Sequence, residues 1–148
     1  MAEGHVNDGI EVEVVWMDQD MLECQFRCSN ARFSGQAEIY LKHDKLSEVA
    51  ESLSGFPSHT KDSREFELGT FNPDYADGGI RMNFYCTDSV GHAAVEVKLR
   101  GDACKGLGEL ESVALCIPVQ AAAIDSFVSQ IRLMDREVGA TAYLQMAK

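Results

Sequence analysis

Five cysteines and four histidines are the side chains best able to do chemistry in this sequence, and their spacing argues against most of it. Cys24 and Cys28 lie four residues apart on an alternating stretch, about 13 Å at 3.3 Å per residue, too far to share one ion. They read as core fillers, as free cysteines often are. Cys86 and Cys116 fall on strand-like segments. Cys104 beside Lys105 is the candidate for a lowered thiol pKa, because a nearby cation favours the thiolate, but no histidine is close in sequence to act as a base. His5, His43, His59 and His92 are isolated, with neither H-x-H nor H-E-x-x-H, so no metal set is implied. No catalytic residue, metal or cofactor is assigned.

Two further clusters read as turns. The stretch Gly101 to Gly108 lacks the G-K-[ST] ending of a phosphate loop and reads as a hairpin connection. Asp88-Ser89-Val90-Gly91-His92 brings three triad residue types together, yet neighbours in a tight turn cannot form a line of three hydrogen-bonded groups. Asp88 is expected to bond the turn backbone, Gly91 to take positive φ, and His92 to open the next strand on its outer face. Most aromatics lie on apolar rows, but Tyr40, Tyr75 and Tyr85 do not. Tyr85 projects beside Arg81 and Asn83, and Tyr75 sits in an Asp/Gly loop. Tyr with Arg is a common interface pairing, so this outer face is the first expectation for a contact surface.

The elements that must carry these residues follow from hydropathy period. With 148 residues, 45% of them apolar and 25% charged, the chain fits one domain with its own core, spanning residues 1–148. Strict alternation marks half-buried antiparallel strands. Ile10, Val12, Val14 and Trp16 share one face, opposite Glu11 and Glu13. Leu22, Cys24, Phe26 and Cys28 form the next row, and Phe33, Ala37, Ile39 and Leu41 a third, where Gly35 suggests a bulge or a close approach. Leu46, Val49, Ala50 and Leu53 then shift to helical spacing, with Asp44 as cap and Gly55-Phe56-Pro57 as the stop.

The second half repeats this grammar. Phe66 and Leu68 anchor a strand ending near Gly69, and Asn72-Pro73-Asp74 with Gly78-Gly79 flag a loop. Ile80, Met82, Phe84 and Cys86 form one row; Ala93, Val95, Val97 and Leu99 the next, with Glu96, Lys98 and Arg100 outside. Val113, Leu115 and Ile117 follow, and Pro118 fits the first turn of a helix striped by Ile124, Phe127, Val128, Ile131 and Met134. The expected fold class is α+β, a mainly antiparallel sheet of about seven strands in the order βββα-ββββα with two amphipathic helices. The two helix starts superimpose, Ile39 and Leu41 on Leu115 and Ile117, as an internal duplication would produce. Residues 1–9 are expected to be a flexible N-terminus, and residues 137–148 either a mobile tail or an edge strand.

Charge bounds the partners. The net charge of −11 is uneven: residues 1–74 carry fifteen carboxylates against six cations, residues 75–148 nine against seven. Such a surface repels phosphate backbones, which argues against nucleic acid, and attracts a basic protein. No apolar run reaches the roughly 18 residues of a membrane helix. A polar, acidic N-terminus and an odd, scattered set of cysteines lead us to expect a cytoplasmic protein with reduced thiols and no membrane partner.

The run Ala31-Arg32-Phe33-Ser34-Gly35, then Phe66-x-Leu68-Gly69, then Phe84-Tyr85-x-x-Asp88-x-x-Gly91-His92-x-x-Val95, resembles the WapI-type immunity proteins, a family of small bacterial proteins. The likeness covers about residues 10 to 134, including the helix start Ala121-Ala122-Ala123-Ile124-Asp125. It implies a cytoplasmic protein that binds and neutralises the toxin domain of a contact-dependent or polymorphic toxin system, with no set of binding residues carried over. From the residues themselves, Glu11, Glu13, Glu23, Tyr75, Arg81 and Tyr85 are the candidates for partner contact, and Asp88, Gly91 and His92 form a structural turn. The expected function is a non-catalytic protein-binding domain. The alternatives are a housekeeping ligand-binding or structural module, and an enzyme whose active residues gather from loops. A homodimer is one of the oligomeric states left open.

Overall fold

A computed structural model describes residues 7–72, 78–103, 110–134 and 137–148. The strands are β1 (Gly9–Met17), β2 (Met21–Ser29), β3 (Ser34–Lys42), β4 (Ser63–Gly69), β5 (Gly79–Cys86), β6 (His92–Ala103), β7 (Leu110–Gln120) and β8 (Thr141–Gln145). Helix α1 (Lys45–Leu53) follows β3, and α2 (Ala121–Ile131) follows β7. The fold is α+β, but the strands form two four-stranded antiparallel sheets in place of one sheet of seven, ordered β3-β2-β1-β8 and β4-β5-β6-β7. The helical excursion after β3 lets β4 begin a new sheet, and β8 returns across the whole chain to pair with β1. No described helix is long and apolar enough to cross a membrane.

The alternating rows explain the core. Val12, Phe26, Ile39, Met82, Phe84, Val95 and Ile117 are all buried in one cluster with the helix stripes Leu46, Val49, Ala50, Leu53 and Ile124, Phe127, Val128, Ile131. Two amphipathic helices thus cover apolar sheet faces that water would otherwise meet. Gly35 is the close approach that its place in a strand suggested: a Cβ there would come within 2.6 Å of Val113 Cγ1.

Four residues depart from the expected pattern, each for a local reason. Trp16 is 43% exposed, because the β1–β2 register slips between Val14 and Trp16 and leaves Val15 as an extra residue. That bulge turns Trp16 outward and Met17 inward. Phe33 is 60% exposed; it belongs to the turn, where the Arg32 and Phe33 N–H groups donate to Asn30 Oδ1 at 3.1 and 2.9 Å. Arg100 was expected outside but is 1% exposed. Arg100 Nη1 donates to the carbonyl of Thr70, just after β4, at 2.9 Å. Pro118 lies within β7, not in a helix. At a sheet edge its carbonyl points outward to the Ala147 N–H (2.8 Å), so the missing donor disturbs no ladder bond.

Asp44 occupies the start of α1 without a side-chain capping bond. The stronger device is at the other end. Arg64 Nη1 donates to the Ser52 and Ser54 carbonyls at 2.9 and 2.8 Å, satisfying carbonyls that a helix C-terminus leaves open. Asp62 holds the guanidinium at 2.8 Å, and this bond with the Ser58 N–H pulls the Asp62 carboxyl down to about 2.

Candidate functional site

The outer face of the first sheet is built by the polar half of each alternation. Its register sets Glu11 beside Arg27 and Gln36, Glu13 beside Gln25 and Glu38, and Trp16 beside Glu23 and Tyr40. Arg27 Nε donates to Glu11 at 2.8 Å and Nη2 reaches Glu13 at 3.3 Å, so two of the three predicted acidic residues share one cation. Glu23 instead lies in the aromatic row. Trp16 and Tyr40 meet edge to face, ring centroids 6.2 Å apart at 75°, and Tyr40 is 41% exposed. At the adjoining turn, the Asp20 and Met21 N–H groups both donate to Asp18 Oδ1 at 2.8 Å and lower its pKa. The face therefore combines two exposed amphipathic rings with an excess of carboxylates, Glu11, Glu13, Glu23 and Glu38 against Arg27 and Lys42.

This aromatic pair was missed in the sequence, where Trp16 counted as core. The overlooked sign is the unbroken run Val14-Val15-Trp16-Met17, since four consecutive apolar residues cannot all face inward on a regular strand.

The second sheet presents a different outer face. Arg81 is paired with Glu67 at 2.6 Å, and its guanidinium carbon lies 4.6 Å from the Phe71 ring centre, with Lys98 Nζ at 5.7 Å. Arg81, Asn83, Glu65, Glu96, Lys98 and Cys116 line a groove of about 450 Å³. Tyr85 adjoins it, its hydroxyl 3.5 Å from Cys116 Sγ; that contact with partial burial pushes the phenol up to about 12. The structure thus sets Arg81 and Tyr85 on one face of β5, four residues apart, but puts Glu11, Glu13 and Glu23 on the other sheet. Tyr75, Pro73, Asp74, Cys104 and the Gly-rich segment from 104 to 108 lie outside the described residues.

At the β5–β6 hairpin, Gly91 has φ +98°. Asp88 Oδ1 accepts the Val90 and His92 N–H groups at 2.8 and 3.2 Å. His92 Nδ1 bonds Asp88 Oδ2, and together these lower the Asp88 pKa. The carboxylate is committed to its own turn. Burial pushes the Cys24 and Cys28 thiols up to about 12, which leaves little thiolate for chemistry near neutral pH. Among the described residues no three His, Cys, Asp or Glu side chains assemble as a metal site. No family model matches the chain, and no curated protein matches its sequence.

Proposed function

We propose that this chain is a non-catalytic protein-binding domain that neutralises a basic toxin domain, in the manner its resemblance to immunity proteins implies. The outer face of the first sheet receives the partner. One observation carries this reading: Trp16 and Tyr40 stand outside the core, packed on each other, in a row with Glu23. Aromatic rings with polar edges dominate protein interfaces, and desolvating such a pair yields more than any rim charge. Surrounding carboxylates would speed encounter with a cationic partner. The cell compartment proposed is the cytoplasm, where the partner toxin would act.

A second reading, a ligand-binding module, is favoured by the groove of about 450 Å³ on the second sheet, a volume within the range of small-molecule sites. Affinity capture from the native cell separates the two. The tagged chain should recover a stoichiometric basic toxin domain, and Trp16→Ala should lose it. Recovery of no such protein while toxin domains are expressed contradicts the neutralising role.

A further inference from the structure

Four strands end the two sheets; hydrogen bonds from elsewhere in the chain reach two of those edges, and a third packs against the other sheet. At β8, the Tyr143 N–H donates to Gln130 Oε1 at 2.9 Å, and Gln130 Nε2 donates back to the Tyr143 carbonyl at 3.4 Å. At β7, the Cys116 carbonyl accepts Asn30 Nδ2 at 2.9 Å and the Pro118 carbonyl accepts Ala147 N–H at 2.8 Å. The edge of β3 lies against the second sheet, its Gly35 against Val113 and its Glu38 carbonyl against Gly78.

Strand β4 differs. Its seven residues pair with β5 without a bulge or a proline. Among the described residues, no hydrogen bond from outside the sheet reaches its main chain. About half of its N–H and C=O groups therefore point outward, a template for another strand. Beside this edge a groove of about 360 Å³ separates β4 from α1. Val49, Phe66 and Leu68 supply its apolar surface, and Glu48, Glu65 and Glu67 its carboxylates. Lys45 pairs with Glu48 at 3.7 Å and Arg81 with Glu67 at 2.6 Å, and among the described residues no cation pairs with Glu65.

The charge pattern selects the occupant. Antiparallel pairing with a second copy, centred on Glu65, Phe66 or Glu67, always sets a glutamate opposite a glutamate, which is unfavourable. Lysine or arginine opposite Glu65 is favourable. We propose that β4 accepts an extended segment of a partner protein as an added strand, its basic side chains alternating with apolar ones. Main-chain bonds would supply affinity, a cation opposite Glu65 the outer register, and apolar side chains would enter the groove beside Phe66. This rests on the protein-binding reading for the existence of a partner, but not on the face assigned to it.

The test uses the full chain and a fluorescent, end-capped peptide alternating lysine with valine. A second peptide carries N-methyl groups on alternate amides, which removes its ladder donors. Binding is read by anisotropy, and its place by amide hydrogen exchange. The alternating peptide should bind and slow exchange in β4. Both the N-methylated peptide and the Glu65→Lys/Glu67→Lys variant, its circular dichroism unchanged, should weaken binding about tenfold or more. Trp16→Ala should bind the peptide as the wild type does. No binding, binding indifferent to N-methylation and charge reversal, or protection elsewhere overturns the proposal. If β4 fails this test while Trp16→Ala still releases the captured toxin domain, the added-strand inference alone falls. If the peptide behaves as expected but no toxin domain is captured, the neutralising role falls.

Discussion

Both sheets turn an apolar face to the shared core, yet they leave unlike surfaces outside. On the first, a bulge carries Trp16 outward to meet Tyr40, among carboxylates only partly offset by Arg27. On the second, Arg81 is already paired with Glu67, and the cations Arg81 and Lys98 lie over Phe71. A surface whose charges and rings satisfy one another gains little from a partner. One that holds aromatic area and surplus charge in water gains more. The difference teaches that a single bulged residue, Val15, can convert a core position into a candidate binding position.

The sharpest way to break this contrast is to truncate one aromatic from each side of it. Phe84 is fully buried and packs edge to face with Phe56 and Phe66, centroids 6.1 Å away in both cases. Phe84→Ala should cost about 3 to 5 kcal/mol in urea unfolding. Trp16→Ala should cost less than about 1 kcal/mol there, being a surface change. Equal losses would make Trp16 a packing residue. Against the captured partner the order should reverse, Trp16→Ala weakening affinity by about 2 kcal/mol, near thirtyfold, by calorimetry.

Acid sensitivity sharpens the comparison at the end of α1. The Asp62 carboxyl falls from 3.8 to about 2 in the folded chain. A depressed folded pKa contributes stability above the unfolded value that is lost as pH falls through the folded one. Asp62→Asn should therefore cost about 1 kcal/mol at neutral pH, allowing for solvent screening. Its deficit should close between about pH 4 and pH 2 in chemical-denaturation curves. A deficit constant across that range would contradict the pairing with Arg64. The smallest effect is kinetic: Glu23→Gln should slow association with the partner about two- to threefold and flatten its salt dependence in stopped flow.

Much of the local structure was legible because alternation and helical spacing are local properties. The stripe of α1 and the rows through Phe26 and Val95 follow directly from side-chain period. Pairing between distant strands is not local. Nothing near Glu11 in sequence indicates that Tyr143 lies opposite it, so the split into two sheets was hidden. Arg100 was misplaced because its burial depends on a segment some thirty residues earlier. Pro118 was misplaced because only the sheet order reveals an edge. For the candidate site, polarity located the outer faces and named Glu11, Glu13, Arg81 and Tyr85. It could not show that Arg27 sits between Glu11 and Glu13, nor that Trp16 is outside.

Trp16 is the chain's single tryptophan, which makes it a native reporter of the claim that matters most. With 5-fluorotryptophan incorporated in this chain alone, the free protein should give one fluorine resonance responsive to the H2O/D2O ratio, as expected of an exposed ring. Adding the captured basic partner to one equivalent should shift that resonance and abolish its solvent response. A complex that forms, by sedimentation, while the resonance keeps its position and solvent response would contradict docking on the first sheet.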